Sequence, residues 1–349
     1  MNDRRIPVIL LTGFLGSGKT SLLARLLADP GMAGCAVLIN EVGAVGLDHL
    51  LVKEVAEDIT LLESGCLCCA VRGDLTRSLR ELFMRRLQRE IGALDRVVIE
   101  TTGLADPAPV IHTLTRDFFL AERFRLEGVI ATVDVRHAHW QLGQHPEAVK
   151  QVAMADRIVL TKCDLADSLQ IAEAEERVAA LNPGATRLQA EPARAPAGLL
   201  DGLGLYQPDG KTPDVARWLG EAAILEQQRL AARQGVFGRA APAALHDEAV
   251  KSHVLHFDEP LRAGDFSRAL DTLQSVVGDR LLRVKGLLAV EGEAAPRVIH
   301  AVQHERYPDT HLPAWPDDDR RSRLVFIVND LPRELFEKTF SAFCEVGAG

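Results

Sequence analysis

Cysteine is scarce in this chain of 349 residues: there are six, and three of them, Cys66, Cys68 and Cys69, fall within four positions. No stretch reaches the ~18 apolar residues that a membrane-spanning helix needs. Excess positive charge is also missing. The formal net charge is -9, which argues against nucleic acid or an anionic membrane as the main partner. The N-terminus "MNDRRIPVILLTGFLG" puts basic residues before an apolar run, as a signal peptide does. That run is short, flows directly into "GSGKT" and is followed by no small-residue cleavage site, so no signal peptide is expected. A cytoplasmic protein is the resulting expectation. Its thiols would be reduced, which favours metal binding or reactivity over a disulfide framework. No internal repeat is visible.

Hydrophobic residues at 47% and charged residues at 26% give a globular profile with ample core material. At roughly 150 residues per domain, the length suggests two domains. The first half alternates short apolar runs with helical patterns. "IPVILLTG", "CAVLINE", "DRVVIETTG", "GVIATVDV" and "DRIVLTKCD" read as strands; "TSLLARLLAD", "LTRSLRELFMRRLQREI" and "QIAEAEERVAAL" read as helices. Such alternation predicts an α/β fold with a parallel sheet covered by helices on both faces. After "LNPGATRLQ" the pattern breaks into Ala-, Gly- and Pro-rich sequence, with a helix expected at "PDVARWLGEAAILEQQRLAARQ". Strands then dominate: "SHVLHFDEP", "LLRVKGLLAV", "RVIHAVQHERY" and "SRLVFIVND". Helices are expected at "AGDFSRALDTLQSVV" and "PRELFEKTFSAF". The expected organisation is an α/β domain over 1–225, a linker over 226–250 and a smaller α+β domain over 251–349.

"GFLGSGKT", Gly13 to Thr20, matches G-x-x-x-x-G-K-[ST] in full, with a strand before it and a helix after it. Glycines there let backbone N–H groups turn inward around phosphate oxygens, and the helix N-terminus adds favourable partial charge. Lys19 is expected to reach the β and γ phosphates, and Thr20 to ligate Mg²⁺. The alternative is a chance Gly-rich turn. "VVIETTG" is an apolar strand ending in an acid, which makes Glu100 the expected Walker B carboxylate. "TKCD", residues 161 to 164, resembles the guanine-reading N-K-x-D sequence, with Thr161 in the Asn position. A carboxylate at Asp164 would accept hydrogen bonds from guanine N1–H and the exocyclic amine, a donor pair that adenine lacks. Lys162 would pack its stem beside the base.

The three clustered cysteines lie between the phosphate loop and Glu100, the interval that carries the switch segments of GTPases. Thiolates suit Zn²⁺ and Cu(I), and three of them with one oxygen or nitrogen ligand would complete a tetrahedral zinc site. Glu41 is the candidate oxygen ligand, and Arg72 would favour the thiolate forms. If the segment were a strand, the adjacent Cys68 and Cys69 would face opposite sides. Two other readings stay open: a strand–loop corner lined with small apolar residues, and a redox pair.

"GFLGSGKT", "NEVGAVGLD", "GCLCC", "IETTGLADP" and "TKCD", in that order, resemble the CobW-like metal chaperones, a branch of the P-loop GTPases. "DRLLRVKGLLAV", "VIHAVQ" and "WPDDDRRSRLVFI" resemble that family's C-terminal domain. The resemblance implies a GTPase that binds GTP or GDP with Mg²⁺ and carries zinc or cobalt to a client metalloprotein. On that resemblance, Gly13, Gly16, Ser17, Gly18, Lys19 and Thr20 hold the nucleotide phosphates, with Lys162 and Asp164 at the base. Thr20 and Glu100 hold magnesium, and Lys19, Thr20 and Glu100 carry hydrolysis. Cys66, Cys68, Cys69 and Glu41 hold the transition metal. With no evident water-positioning Gln after Glu100, slow intrinsic hydrolysis is expected. A P-loop NTPase with a structural zinc or a redox-sensing thiol switch is the competing reading. Many family members carry a long His-rich stretch ahead of the C-terminal domain; here only His246, His253 and His256 stand in that place. His253 and His256 would face opposite sides of a strand, and are expected to be packed or solvated. His137, His139 and His145 are expected to be loop histidines.

Overall fold

Apolar runs flanked by turn residues become two separate sheets. The computed structural model describes residues 4–40, 60–64, 67–191, 194–200, 203, 250–307 and 309–344, with backbone alone for 30, 40, 60–64 and 67–74. The chain forms two compact units, each described by itself below.

In the first unit, β1 (Ile6–Gly13), β2 (Cys35–Asn40), β3 (Thr60–Ser64), β4 (Arg96–Glu100), β5 (Phe124–Asp134), β6 (Arg157–Thr161) and β7 (Thr186–Gln189) form one sheet in the order β3-β2-β4-β1-β5-β6-β7. Every recorded pairing in it is parallel. The central strands are buried along nearly their whole length, which explains their unbroken apolar runs. Helix α1 (Lys19–Leu27) buries Leu22, Leu23, Leu26 and Leu27, a helical stripe set against the sheet core of Ile9, Leu11, Val98 and Ile130. Helices α2 (Leu67–Leu87), α3 (Ala108–Arg116), α4 (Phe118–Arg123), α5 (Ala138–Gln144), α6 (Pro146–Met154) and α7 (Ser168–Leu181) complete the crossovers. The strand order reverses at β1, so the phosphate loop emerges at the carboxyl edge of the sheet, where α/β folds bind ligands.

Several expectations change here. Cys68 and Cys69 lie in the first turn of α2, not on a strand. His139 lies inside α5, and His145 separates α5 from α6. Strands β3 and β7 and helices α3 to α6 were not anticipated. The expected helix at 213–234, His246 and nearly all of the expected linker lie outside the described residues.

In the second unit, β8 (Val250–Phe257), β9 (Leu281–Leu288), β10 (Arg297–Val302), β11 (Glu305–Arg306) and β13 (Ser322–Asn329) run in the order β11-β10-β9-β13-β8, with β12 (Thr310–His311) paired to β10. All of these pairings are antiparallel. Helices α8 (Ala263–Val277) and α9 (Arg333–Cys344) cover one face through Phe266, Leu270, Phe336 and Phe340. Phe340 meets the rings of Phe257, Phe266 and Phe326 at centroid distances of 5.4, 5.5 and 5.8 Å. His253 and His256 pair with Phe326 and Arg323 respectively, an odd offset that puts them on opposite faces of β8. His253 is buried with Nε2 2.9 Å from the Leu331 carbonyl.

Candidate functional site

The phosphate loop folds back on itself. Gly16 and Gly18 hold φ of +70° and +88°, and a Cβ at Gly13 would lie 2.3 Å from Thr132 Oγ1. Only glycine fits such a turn with a neighbouring strand this close. No side chain caps the N-terminus of α1 at Gly18, so the loop and first turn present backbone N–H groups and a positive dipole end to an anion. Lys19 is buried, and its Nζ donates to the carbonyls of Gly13 at 2.9 Å and Phe14 at 3.2 Å. Ser17 Oγ and Thr132 Oγ1 are 2.6 Å apart. Thr20 Oγ1 donates to Glu100 Oε1 at 2.7 Å. Two hard oxygen donors this close at the mouth of a phosphate loop suit Mg²⁺.

Just beyond Glu100, the backbone at Gly103 runs against the loop. A Cβ there would sit 2.6 Å from Leu15 N. Buried Gln151 of α6 donates its Nε2 to the carbonyls of Gly103 at 3.2 Å and Ala105 at 3.0 Å. Asp106 caps α3 through Ala108 N and pairs with Lys150 at 3.0 Å. "TTGLAD" is thus pinned to α6 on one side and to the phosphate loop on the other. Phe14 continues the contact: its ring lies 4.4 Å from that of His145, which meets Trp140 at 4.6 Å.

At the T-K-x-D turn, Thr161 Oγ1 donates to Ser17 O at 2.7 Å and Val133 O at 3.2 Å. Lys162 takes a left-handed backbone at φ 58°. Its Nζ donates to Gly16 O at 2.8 Å and Asp134 Oδ2 at 2.6 Å. Asp164 is exposed. Asp134 also accepts from His137 Nδ1 at 2.9 Å and Arg136 N at 3.0 Å. Burial alone would raise the Asp134 carboxyl, but the hydrogen bonds from Lys162 and His137 outweigh it and hold the group below the ordinary carboxylate range. Nothing in the sequence reading gives Asp134, Thr132, Gln151 or Gly103 a role in the site. The one available signal was a second apolar strand, "GVIATVD", that also ends in an acid.

Of the transition-metal candidates, the structure gives the backbone alone of Cys68 and Cys69. Strands β2 and β3 are neighbours with Asn40 and Ser64 in register. β2 and β3 therefore end side by side at one edge of the sheet, and Ile39 is paired with Glu100 on β4. Glu41 and Cys66 lie outside the described residues, and so do the side chains of Cys68, Cys69 and Arg72. Among the described residues no group of three or more His, Cys, Asp or Glu is placed to hold a metal ion.

The CobW/HypB/UreG nucleotide-binding domain matches residues 7–189, and the cobalamin synthesis protein cobW C-terminal domain matches residues 250–344. The chain belongs to the CobW/HypB/UreG family. Among curated relatives, the Escherichia coli protein named zinc chaperone YjiA is 34% identical over 336 residues, spanning 96% of this chain and 98% of its own. The Schizosaccharomyces pombe zinc-regulated GTPase metalloprotein activator 1 is 34% identical over 184 residues, 51% of this chain and 44% of that one. The crystal structure of Zn(II)-bound YjiA GTPase from E. coli aligns with a TM-score of 0.71 at 29% identity, covering 98% of this chain and 99% of that one. The phosphate loop, the strand ending at Glu100 and the T-K-x-D turn thus lie within a CobW/HypB/UreG nucleotide-binding domain. Among the described residues, no helix of this family member is long and apolar enough to cross a membrane.

Proposed function

We propose that this CobW-family protein is a cytoplasmic GTP-hydrolysing metallochaperone that delivers a transition metal, zinc with cobalt as the alternative, to a client protein. The observation that supports GTP hydrolysis is the Thr20–Glu100 contact at 2.7 Å beside the phosphate loop. Gly13, Gly16, Ser17, Gly18 and Lys19 cradle the phosphates. Thr20 and Glu100 hold Mg²⁺, which neutralises the charge that develops on the phosphates. Lys162 and Asp164 select guanine. Cys66, Cys68, Cys69 and Glu41 hold the metal as cargo. Adjacent strand ends leading into Glu41 and Cys66 support that ligand set, as does the start of α2 at Leu67, because a helix N-terminus favours thiolates. The similarity to a zinc chaperone over nearly the full chain supports zinc.

Titrating zinc into the GDP form and into a form with a non-hydrolysable GTP analogue, at fixed Mg²⁺ and pH, tests this reading. Zinc affinities that differ by about tenfold or more are expected, which corresponds to ~1.4 kcal/mol of coupling. Equal affinities would sink the coupled mechanism, and a structural zinc site indifferent to nucleotide would replace it.

A further inference from the structure

We propose that Asp134 is a positioning residue for guanine recognition, holding Lys162 so that the base-reading turn and the phosphate loop act as one unit. The inference rests on the guanine reading above and extends it to a residue outside the T-K-x-D motif.

Asp134 ends β5 and is paired in register with Thr161, the last residue of β6. It is almost fully buried, at 1% exposure. A carboxylate in such a place must be matched by donors. Three donors meet it: Lys162 Nζ and His137 Nδ1 on Oδ2, and Arg136 N on Oδ1. An ionised carboxylate only accepts, so His137 presents a protonated Nδ1. The Lys162 ammonium is stretched between Asp134 and the Gly16 carbonyl. Its backbone sits in the left-handed region, which non-glycine residues adopt only when their surroundings hold them there.

The neighbouring contacts repeat the theme. Thr132 of β5 meets the Ser17 hydroxyl, and Thr161 of β6 binds the Ser17 carbonyl. Two adjacent strand ends therefore grip Ser17 by its hydroxyl and its carbonyl, and Asp134 to Lys162 to Gly16 is the charged member of the set. A lysine stem that must lie along a base plane needs its far end fixed. Without the carboxylate, the ammonium keeps one neutral acceptor at Gly16, and the stem gains freedom that guanine binding must then remove.

Asp134→Asn keeps the shape and removes the charge. GTP and ATP affinities and steady-state hydrolysis should be measured for it and for the wild-type protein, together with Lys162→Met and the double variant. A rise of about tenfold in Kd and KM for GTP is expected, the size of a lost charge-assisted hydrogen bond. The GTP-to-ATP preference should fall with it, while kcat at saturating GTP stays within about twofold. The double variant should discriminate GTP from ATP no worse than Lys162→Met, because Asp134 acts on the base through Lys162. A preference unchanged in Asp134→Asn would overturn the role of Asp134 alone. So would equal weakening of GTP and ATP with a lowered melting temperature, since that marks a structural residue. Equal binding of GTP and ATP by the wild-type protein would overturn the guanine reading as well. Should Asp134→Asn not fold, Asp134→Ser, which leaves a hydroxyl acceptor, must show the same loss of preference.

Discussion

Gly103 and the cysteines carry the sharpest expectations for single residues. A methyl group at Gly103 would lie 2.6 Å from the Leu15 backbone nitrogen, and backbone cannot swing aside as a side chain can. Gly103→Ala should therefore cost about 1–3 kcal/mol of stability, the usual penalty of forced overpacking. It should also lower nucleotide affinity, because the segment that must move is the phosphate loop. Thermal unfolding with and without nucleotide checks both effects. The cysteines differ in their chemistry. Burial pushes the Cys35 thiol up to about 12 and the Cys344 thiol up to about 11. Both stay protonated at neutral pH and make poor nucleophiles and poor metal ligands. On the proposed metal site, Ser at Cys66, Cys68 or Cys69 should each weaken zinc binding at least about tenfold. Ser at Cys35 or Cys344 should leave it unchanged in competition with a chromogenic chelator. Unaltered zinc affinity in the triple Cys66/Cys68/Cys69 variant would place the metal elsewhere.

At the level of elements, two features of the second unit invite measurement. The turn that enters β13 is tied by charge: Arg321 donates to Asp319 and Asp258, and Arg323 pairs with Asp317 at 2.9 Å. The hydrogen bond from Arg321 is the main reason that the Asp319 carboxyl is held down to about 2. A carboxyl depressed on folding stabilises the native state above its unfolded value, and that contribution is lost as pH falls through the folded one. The stability gap between wild-type protein and Asp319→Asn should thus be constant from neutral pH to about 4 and close between about 4 and about 2. Urea midpoints across that range read it. A gap that persisted at pH 2 would show that Asp319 acts through packing instead. The aromatic centre makes a larger demand. Phe340 is fully buried among Phe257, Phe266 and Phe326. Phe340→Ala should cost about 3–5 kcal/mol, seen as a lowered unfolding midpoint for the C-terminal unit.

For the molecule as a whole, the proposed coupling of metal to nucleotide must be reciprocal. Whatever factor GTP applies to zinc affinity, zinc must apply to GTP affinity. Fluorescent GTP-analogue titrations with and without saturating zinc should return the same factor as the zinc titrations, at least about tenfold. Unequal factors would mean that a third process, such as assembly or zinc binding outside the proposed site, had entered the cycle.

The local code was strong where chemistry and geometry coincide within a few residues. β1, the phosphate loop and α1 were legible because a buried strand, a turn that only glycines allow and an amphipathic helix follow one another directly. Glu100 was legible as an acid ending an apolar strand, and α8 at 263–277 as a clean apolar stripe. The start of α2 was not legible, since "GCLCC" carries neither a helical stripe nor a side-chain cap. Neither was β7, a short edge strand whose "TRLQ" is at most half-buried and so shows no alternation. Asp134 is the clearest case of what only the tertiary structure decided. Its partner Lys162 is 28 residues away and the phosphate loop lies more than a hundred residues earlier. Parallel pairing of β5 with β1 and β6 brings all three to one edge of the sheet. A contact made by strand order leaves no spacing to read along the chain. The motif residues, by contrast, are set by the ligand chemistry that each must perform, and that chemistry is written in the residue types themselves.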